Sequence, residues 1–346
     1  MRRPQSIGQS VGLSPNSQHH SDTHFLFEQL FLCHNNGVTF PAPPLPDDHP
    51  AEQLLTAFQQ RRPLRVGSLI ITIFGDALTP RGGVIALGSL IRLVERFGID
   101  ERWVRTSVGR LADDHWLDAR RVGRRAEYAL SESGRTRFAE ATRRIYAGPP
   151  TVEGDHWTFV ALPPASRGDR QPLREVLRLG GFGEINEGLY AHPCVTPEET
   201  QAYLADHHSS APLIFQSHRI TGLDPAELVT RAWDLLALGQ RYRQFCDQFT
   251  PIADALPRLR TEDPALAFVV RTLLIHEYRR IHLRDPMVPA SLLPADYPGH
   301  AAYDLCREIY HALFWPAEGY LDATAERLDG SLPSPDETVR RRFPVL

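Results

Sequence analysis

The densest apolar stretch in the chain, "PLRVGSLIITIFGDAL" (63–78), has a β-branched run that also suits a strand, but its length and its Gly-Asp ending favour a buried helix. After a turn at Arg81-Gly82-Gly83, Leu87, Leu90, Ile91 and Val94 recur at helical spacing until Gly98. A third helix is expected from Asp100, a natural N-cap, through "ERWVRTSVGRLADDHW". Two strands follow, Leu117–Arg121 and Arg125–Leu130, about a turn at Val122-Gly123. Ser131 caps a fourth helix, which "AGPP" (147–150) breaks. Three helices with short connections, then a hairpin, describe a winged helix-turn-helix whose third helix is the recognition helix.

The pattern then changes. A strand over 156–163, a short helix, two strand-like pieces about Asn186-Glu187-Gly188, another helix and a last strand give the order β-α-β-β-α-β of a ferredoxin-like domain. Three long helical patterns, 225–249, 263–283 and 299–315, complete the chain, and a proline-rich loop separates the last two. The expected fold is therefore α+β and multidomain. A tail over 1–60 precedes a winged helix (61–148), a ferredoxin-like domain (152–221), a helical domain for effector binding and dimerisation (224–325) and a second tail (326–346).

Composition adds limits. With 42% hydrophobic and 23% charged residues, the 346-residue chain reads as ordinary globular protein, and no apolar run reaches the roughly 18 residues of a membrane span. The first 50 residues are rich in Ser, Pro, Asn and His, lack the apolar core of a signal peptide and are expected to be largely disordered; "FLFEQLFL" (25–32) stands out there as a docking segment. A cytoplasmic location is expected. Cys33, Cys194, Cys246 and Cys306 lie too far apart for a C-x-x-C site.

Charge redirects the reading. The net charge is −4, yet residues 96–144 hold 12 arginines against eight acids. There is no lysine, so part of that excess is habit. Val104, Val108 and Leu111 share one face of the third helix, which leaves Arg102, Arg105, Thr106 and Gly109 opposite, with Arg110 at the margin. Arginine can bond guanine bidentately, threonine can meet a base edge, and glycine lets a helix approach closely. In "RRVGRR", Arg120, Arg121, Arg124 and Arg125 surround a hairpin tip, where like charges repel unless phosphates neutralise them. Double-stranded DNA is the partner these residues suit.

The stretch "RGGVIALGSLIRLVERFGIDERWVRTSVGRLADDHWLDARRVGRRAEYALSESG" closely resembles the first domain of PaaX-type transcriptional repressors of phenylacetic acid catabolism. The likeness returns in "LLIHEYRRIHLRDPMVPASLLPADYPGHAAYDLCREIY" (273–310), similar to that family's C-terminal signature. The resemblance implies a GntR-related winged helix, a Cas2-like central domain, a homodimer on a palindromic operator, and release by phenylacetyl-CoA or a related acyl-CoA thioester. The N-terminal extension departs from the family pattern.

Other chemistries fare worse. The first strand of the middle domain ends "VALPPASRGD" without the tip aspartate a Cas2-like nuclease needs. His276 and His282 are six apart, about 120° around a helix, so they cannot chelate a metal side by side, even with Asp285 and His300 near. No G-x-S-x-G, P-loop or GxGxxG stands in a strand-turn-helix setting, so neither catalysis nor a cofactor is expected. For an effector, "HEYRRIHLRDP" offers His276, Tyr278, Arg279, Arg280 and Arg284, with Trp315 as a further stacking surface. The plainer reading makes ion pairs of Arg280 with Asp285, or Arg284 with Glu277. A winged helix that contacts protein instead of DNA is the alternative from another functional class.

Overall fold

A computed structural model describes residues 49–150, 156–164, 171–204 and 212–344. The 25–32 segment and most of the expected N-terminal tail lie outside them. Residues 50–59 do not belong to a tail: Pro50–Gln59 form α1, and its Leu54, Leu55 and Phe58 are buried. Burial of three apolar anchors on one face offsets part of the chain entropy that ordering the helix costs.

Helix α2 (Val66–Ile73) runs on through a π-turn at Phe74–Leu78 and a tight turn at Thr79–Arg81. Gly82 and Gly83, both at positive φ, turn the chain into β1 (Val84–Ala86) and α3 (Leu87–Glu95). Helix α4 (Glu101–Asp113) starts at Asp100, whose carboxylate accepts the Trp103 N–H at 3.0 Å. Strands β2 (Leu117–Val122) and β3 (Arg125–Leu130) form a hairpin in register from Leu117↔Leu130 to Val122↔Arg125, and β1 pairs β3 on its other edge. The turn is Gly123-Arg124, one residue later than expected, because Gly123 takes the left-handed conformation (φ 60°). Ser131 caps α5 (Glu132–Ile145) through the Gly134 N–H.

The middle of the chain has the expected element order: β4 (Trp157–Ala161), α6 (Gln171–Leu179), β5 (Gly183–Asn186), β6 (Leu189–His192), α7 (Pro197–Leu204) and β7 (Leu213–Ser217). The sheet order is β5-β6-β4-β7, antiparallel throughout, and Val160, Leu173, Leu177 and Tyr190 fill its core.

Two corrections concern the helical part. The pattern over 225–249 is two helices, α8 (Pro225–Ala232) and α9 (Leu235–Glu262). Trp233 is extended between them and its indole N–H donates to Gly181 O, while Asp234 caps α9 through the Ala237 N–H. Helix α10 (Pro264–His282) is capped by Asp263, and α11 (Gly299–Thr324) continues past Pro316, its Ala317 and Leu321 buried. Nor are residues 326–344 a tail: β8 (Glu326–Arg327) pairs β9 (Gly330–Ser331), and Arg342 and Phe343 are buried. Among the described residues no helix is long and apolar enough to cross a membrane.

One continuous core joins α1–α5 to α9–α11, so the segments expected as first and third domains share their interior. Asp76 lies inside it. Its Oδ1 accepts from the Tyr146 and Tyr310 hydroxyls (2.6 and 3.0 Å) and from Arg342, and its Oδ2 accepts from Arg271 (3.0 Å). Arg271 also donates to Glu318 at 2.7 Å, and the other Glu318 oxygen accepts from Arg81 at 2.6 Å. Burial opposes the Arg271 charge, but Asp76 and Glu318 outweigh it and hold the guanidinium above its ordinary pKa. This network fixes the end of α2 against α10 and α11, and so sets the stance of α4 and the hairpin.

Candidate nucleic-acid interface

Val104, Val108 and Leu111 turn inward as their spacing requires, and the rest of α4 is presented to solvent. Arg102, Arg105, Thr106 and Arg110 are exposed. A Cβ at Gly109 would meet nothing within 4 Å, so packing does not demand the glycine; it keeps the helix backbone open to a close partner. Arg105 is held by Glu101 one turn earlier at 2.6 Å, an exposed pair that a phosphate or base can displace cheaply. The Thr106 hydroxyl donates to Arg102 O and still has lone pairs to offer. Arg102 and Arg110 pair with no carboxylate among the described residues.

The hairpin arginines divide. Arg120 is tied to Glu127 on the neighbouring strand at 2.7 Å, and buried Glu127 also accepts the Leu328 N–H with its other oxygen. Arg120 therefore braces the hairpin against the β8–β9 segment. Arg121, Arg124 and Arg125 are exposed and unpaired among the described residues, with Arg124 in the turn itself. A cleft of about 360 Å³ lies among the first turns of α3, the hairpin and β8, with Arg105 reaching it from α4; Arg92, Arg105, Arg124, Arg125 and Arg327 line it with Glu326 as its acid. Arg92 and Arg327 escaped the sequence reading: one donates to Thr324 O, the other sits on β8, and neither link between distant segments leaves a local signal.

The five residues weighed for an effector do not form one site. His276 and Arg279 meet at Thr72, whose hydroxyl lies 2.9 Å from each and itself donates to Ser68 O. Burial, reinforced by Arg279 and Arg280, pushes His276 down to about 3, so it stays neutral. Tyr278 is buried on the other side of α10, its hydroxyl against His282 Nδ1 (3.1 Å). Arg280 pairs with Glu277, and Arg284 faces solvent. The ion pairs expected for Asp285 and Arg284 do not form. Asp285 accepts instead from the Tyr242 and Tyr297 hydroxyls, both at 2.9 Å, and Glu277 is taken by Arg61 and Arg280. Trp315 is 45% exposed on α11.

Transcriptional repressor PaaX of Escherichia coli (strain K12) is 34% identical to this chain over 286 residues, which is 81% of this chain and 90% of that protein. The chain belongs to the PaaX family. Residues 65–134 match the description "PaaX-like protein" and span α2 to the hairpin, while 233–323 match "PaaX-like protein C-terminal domain" and span α9 to α11. PaaX proteins are regulators, not enzymes, and the resemblance drawn from residues 81–134 and 273–310 is borne out. A comparison with solved structures pairs this PaaX-family chain with an uncharacterized protein of Mycobacterium tuberculosis at 22% identity over 67% of this chain and 89% of that one, with a TM-score of 0.43.

Proposed function

We propose that this chain is a DNA-binding transcriptional repressor of an aromatic-acid operon, that of phenylacetate catabolism, released from its operator by phenylacetyl-CoA or a related acyl-CoA thioester. The observation that carries this reading is the exposure of Arg102, Arg105 and Thr106 on α4 together with that of the hairpin-tip arginines, Arg105, Arg124 and Arg125 lining one cleft. On the winged-helix reading α4 enters the major groove, Arg105 leaves Glu101 for a guanine edge, and Arg121, Arg124 and Arg125 meet phosphates or the minor groove. The middle sheet, in order β5-β6-β4-β7, supports a ferredoxin-like, Cas2-like spacer. Two copies on a palindromic operator that overlaps a promoter block transcription sterically. A thioester that binds the conformation unable to hold DNA shifts the population off the operator.

The test is fluorescence anisotropy of purified protein on its own promoter fragment at two salt concentrations, with phenylacetyl-CoA and then free phenylacetate titrated in. Salt-sensitive specific binding released by the thioester alone is expected. Binding without release discards the inducer, and no preference over random DNA discards the repressor.

A further inference from the structure

The side of α4 away from the hairpin holds a second cleft, of about 560 Å³, within the size range of small-molecule sites. Its walls are α4 and the segment Leu64–Ile71, and its one residue from the C-terminal helices is Arg279 on α10. Three guanidinium groups line it, Arg65, Arg110 and Arg279, against a single carboxylate, Asp114. None of the three forms an ion pair among the described residues. Arg279 is half-buried, and its partners are the neutral oxygens of Thr72 and Ser68 (2.8–2.9 Å). Burial and the neighbouring Arg280 lower its pKa to about 10, as expected of a cation short of counter-charge. The first turn of α2, whose N-cap Arg65 supplies no side-chain cap, adds the positive end of a helix to the same wall.

The apolar part of the lining is as pointed. Trp103 is 60% exposed, an expensive placement for an indole in water, while Leu64 and Ile71 across the cleft are half-buried. Trp116 already carries the Arg137 guanidinium over its ring at 4.8 Å, so Trp103 is the open stacking platform.

We propose that this cleft binds a small molecule that carries an anionic group together with a flat ring, the anion at Arg110 and Arg279 and the ring on Trp103. The proposal rests on the repressor reading for its consequence. Thr106 and Arg110 belong both to the cleft and to the face offered to DNA, so an occupant that claims them competes with the operator. Such chemistry has two sources, the phosphorylated nucleotide of an acyl-CoA and a free aryl carboxylate, since the acyl half of the thioester is uncharged. Coenzyme A and phenylacetate separate them.

Gly67 supplies the test. It lines the cleft in the first turn of α2, and a Cβ there would meet nothing within 4 Å, so Gly67→Leu obstructs the cleft without entering the core. Full-length protein without DNA is titrated with phenylacetyl-CoA, coenzyme A and phenylacetate, tryptophan emission is followed, and operator affinity is measured separately. Wild type is expected to bind the thioester and coenzyme A with a change in emission that Trp103→Phe reduces; phenylacetate binding in their place identifies the free aryl acid as the occupant. Gly67→Leu is expected to weaken that binding at least tenfold and to hold the promoter fragment within about twofold of wild type. Equal ligand affinity in Gly67→Leu, or no binding of any probe to wild type, overturns the proposal. Loss of operator affinity in Gly67→Leu overturns it too, because the cleft then belongs to the DNA surface. A wild-type chain that binds the thioester but ignores its promoter sinks the repressor reading alone and leaves the ligand site standing.

Discussion

Asp76 and Arg271, 195 residues apart, meet in the interior with both side chains withdrawn from solvent, the Arg271 Nε donating to Asp76 Oδ2 at 3.0 Å. Asp76 also serves Arg342, so one carboxylate on the π-turn after α2 balances a cation from α10 and another from the C-terminal segment.

Asp76→Ala therefore leaves two buried guanidinium groups short of charge. The expected cost is about 3–5 kcal/mol, read as a lower urea midpoint with an unchanged slope. A loss below about 1 kcal/mol would mean that Glu318 alone neutralises the cluster.

Arg120 and Arg124 lie four positions apart and should fail differently. On the proposed function Arg124→Ala removes one phosphate contact, so binding to all DNA is expected to weaken alike and the log-log salt slope to fall by about 1. Arg120→Ala unseats Glu127 and the β8–β9 contact, so thermal stability drops while the salt slope stays near wild type. Equal slopes for the two variants would remove the division drawn here.

Arg105→Ala is expected to cost about 1–3 kcal/mol of operator affinity and to relax base preference, measured against operator variants. Equal losses on specific and random DNA would count against Arg105 as a base reader. Glu101→Gln, which frees Arg105 and removes a negative charge from the same face, should tighten binding at low salt.

Acid should loosen the fold before the carboxylates titrate. Burial lowers His192 and His282 to about 4 and His276 to about 3. The unfolded chain takes up these protons near pH 6.5, where the folded imidazoles do not. Stability is thus whole above pH 6.5 and is lost as pH falls toward 4, by about 2 kcal/mol per histidine at pH 5. Urea midpoints that coincide at pH 7 and pH 5 would refute this.

The part that holds α4 and the hairpin was legible because its signals are local. Caps at Asp100 and Ser131, the Val104-Val108-Leu111 spacing and the arginines around Gly123 each operate within a few residues. The turn slipped, since a glycine marks a turn without saying which of its neighbours shares it, and β1 was missed because three residues are too short to show an alternation. The charged interior was not legible. Helix α10 is buried almost all round, so its periodicity carries no contrast, and Arg271 reads as one more surface cation until α2 and α11 close over it. Residues 326–344 misled for the opposite reason: their polar composition hides Arg342 and Phe343, which only a core assembled from distant segments can receive. The effector residues were sought along one helix, but neighbours on a helix point in different directions, and Arg279 takes its partners from α2.

The interior shared by α1–α5 and α9–α11 also limits how this protein can be rebuilt. A fragment ending near residue 150 keeps α4 and the hairpin but loses Arg271, Glu318 and Arg342, which hold Asp76 and Arg81. On the proposed function, grafting a new DNA specificity onto this scaffold means changing side chains on the outer face of α4 in place, because the part that holds α4 and the hairpin has no seam along which it can be cut away and replaced.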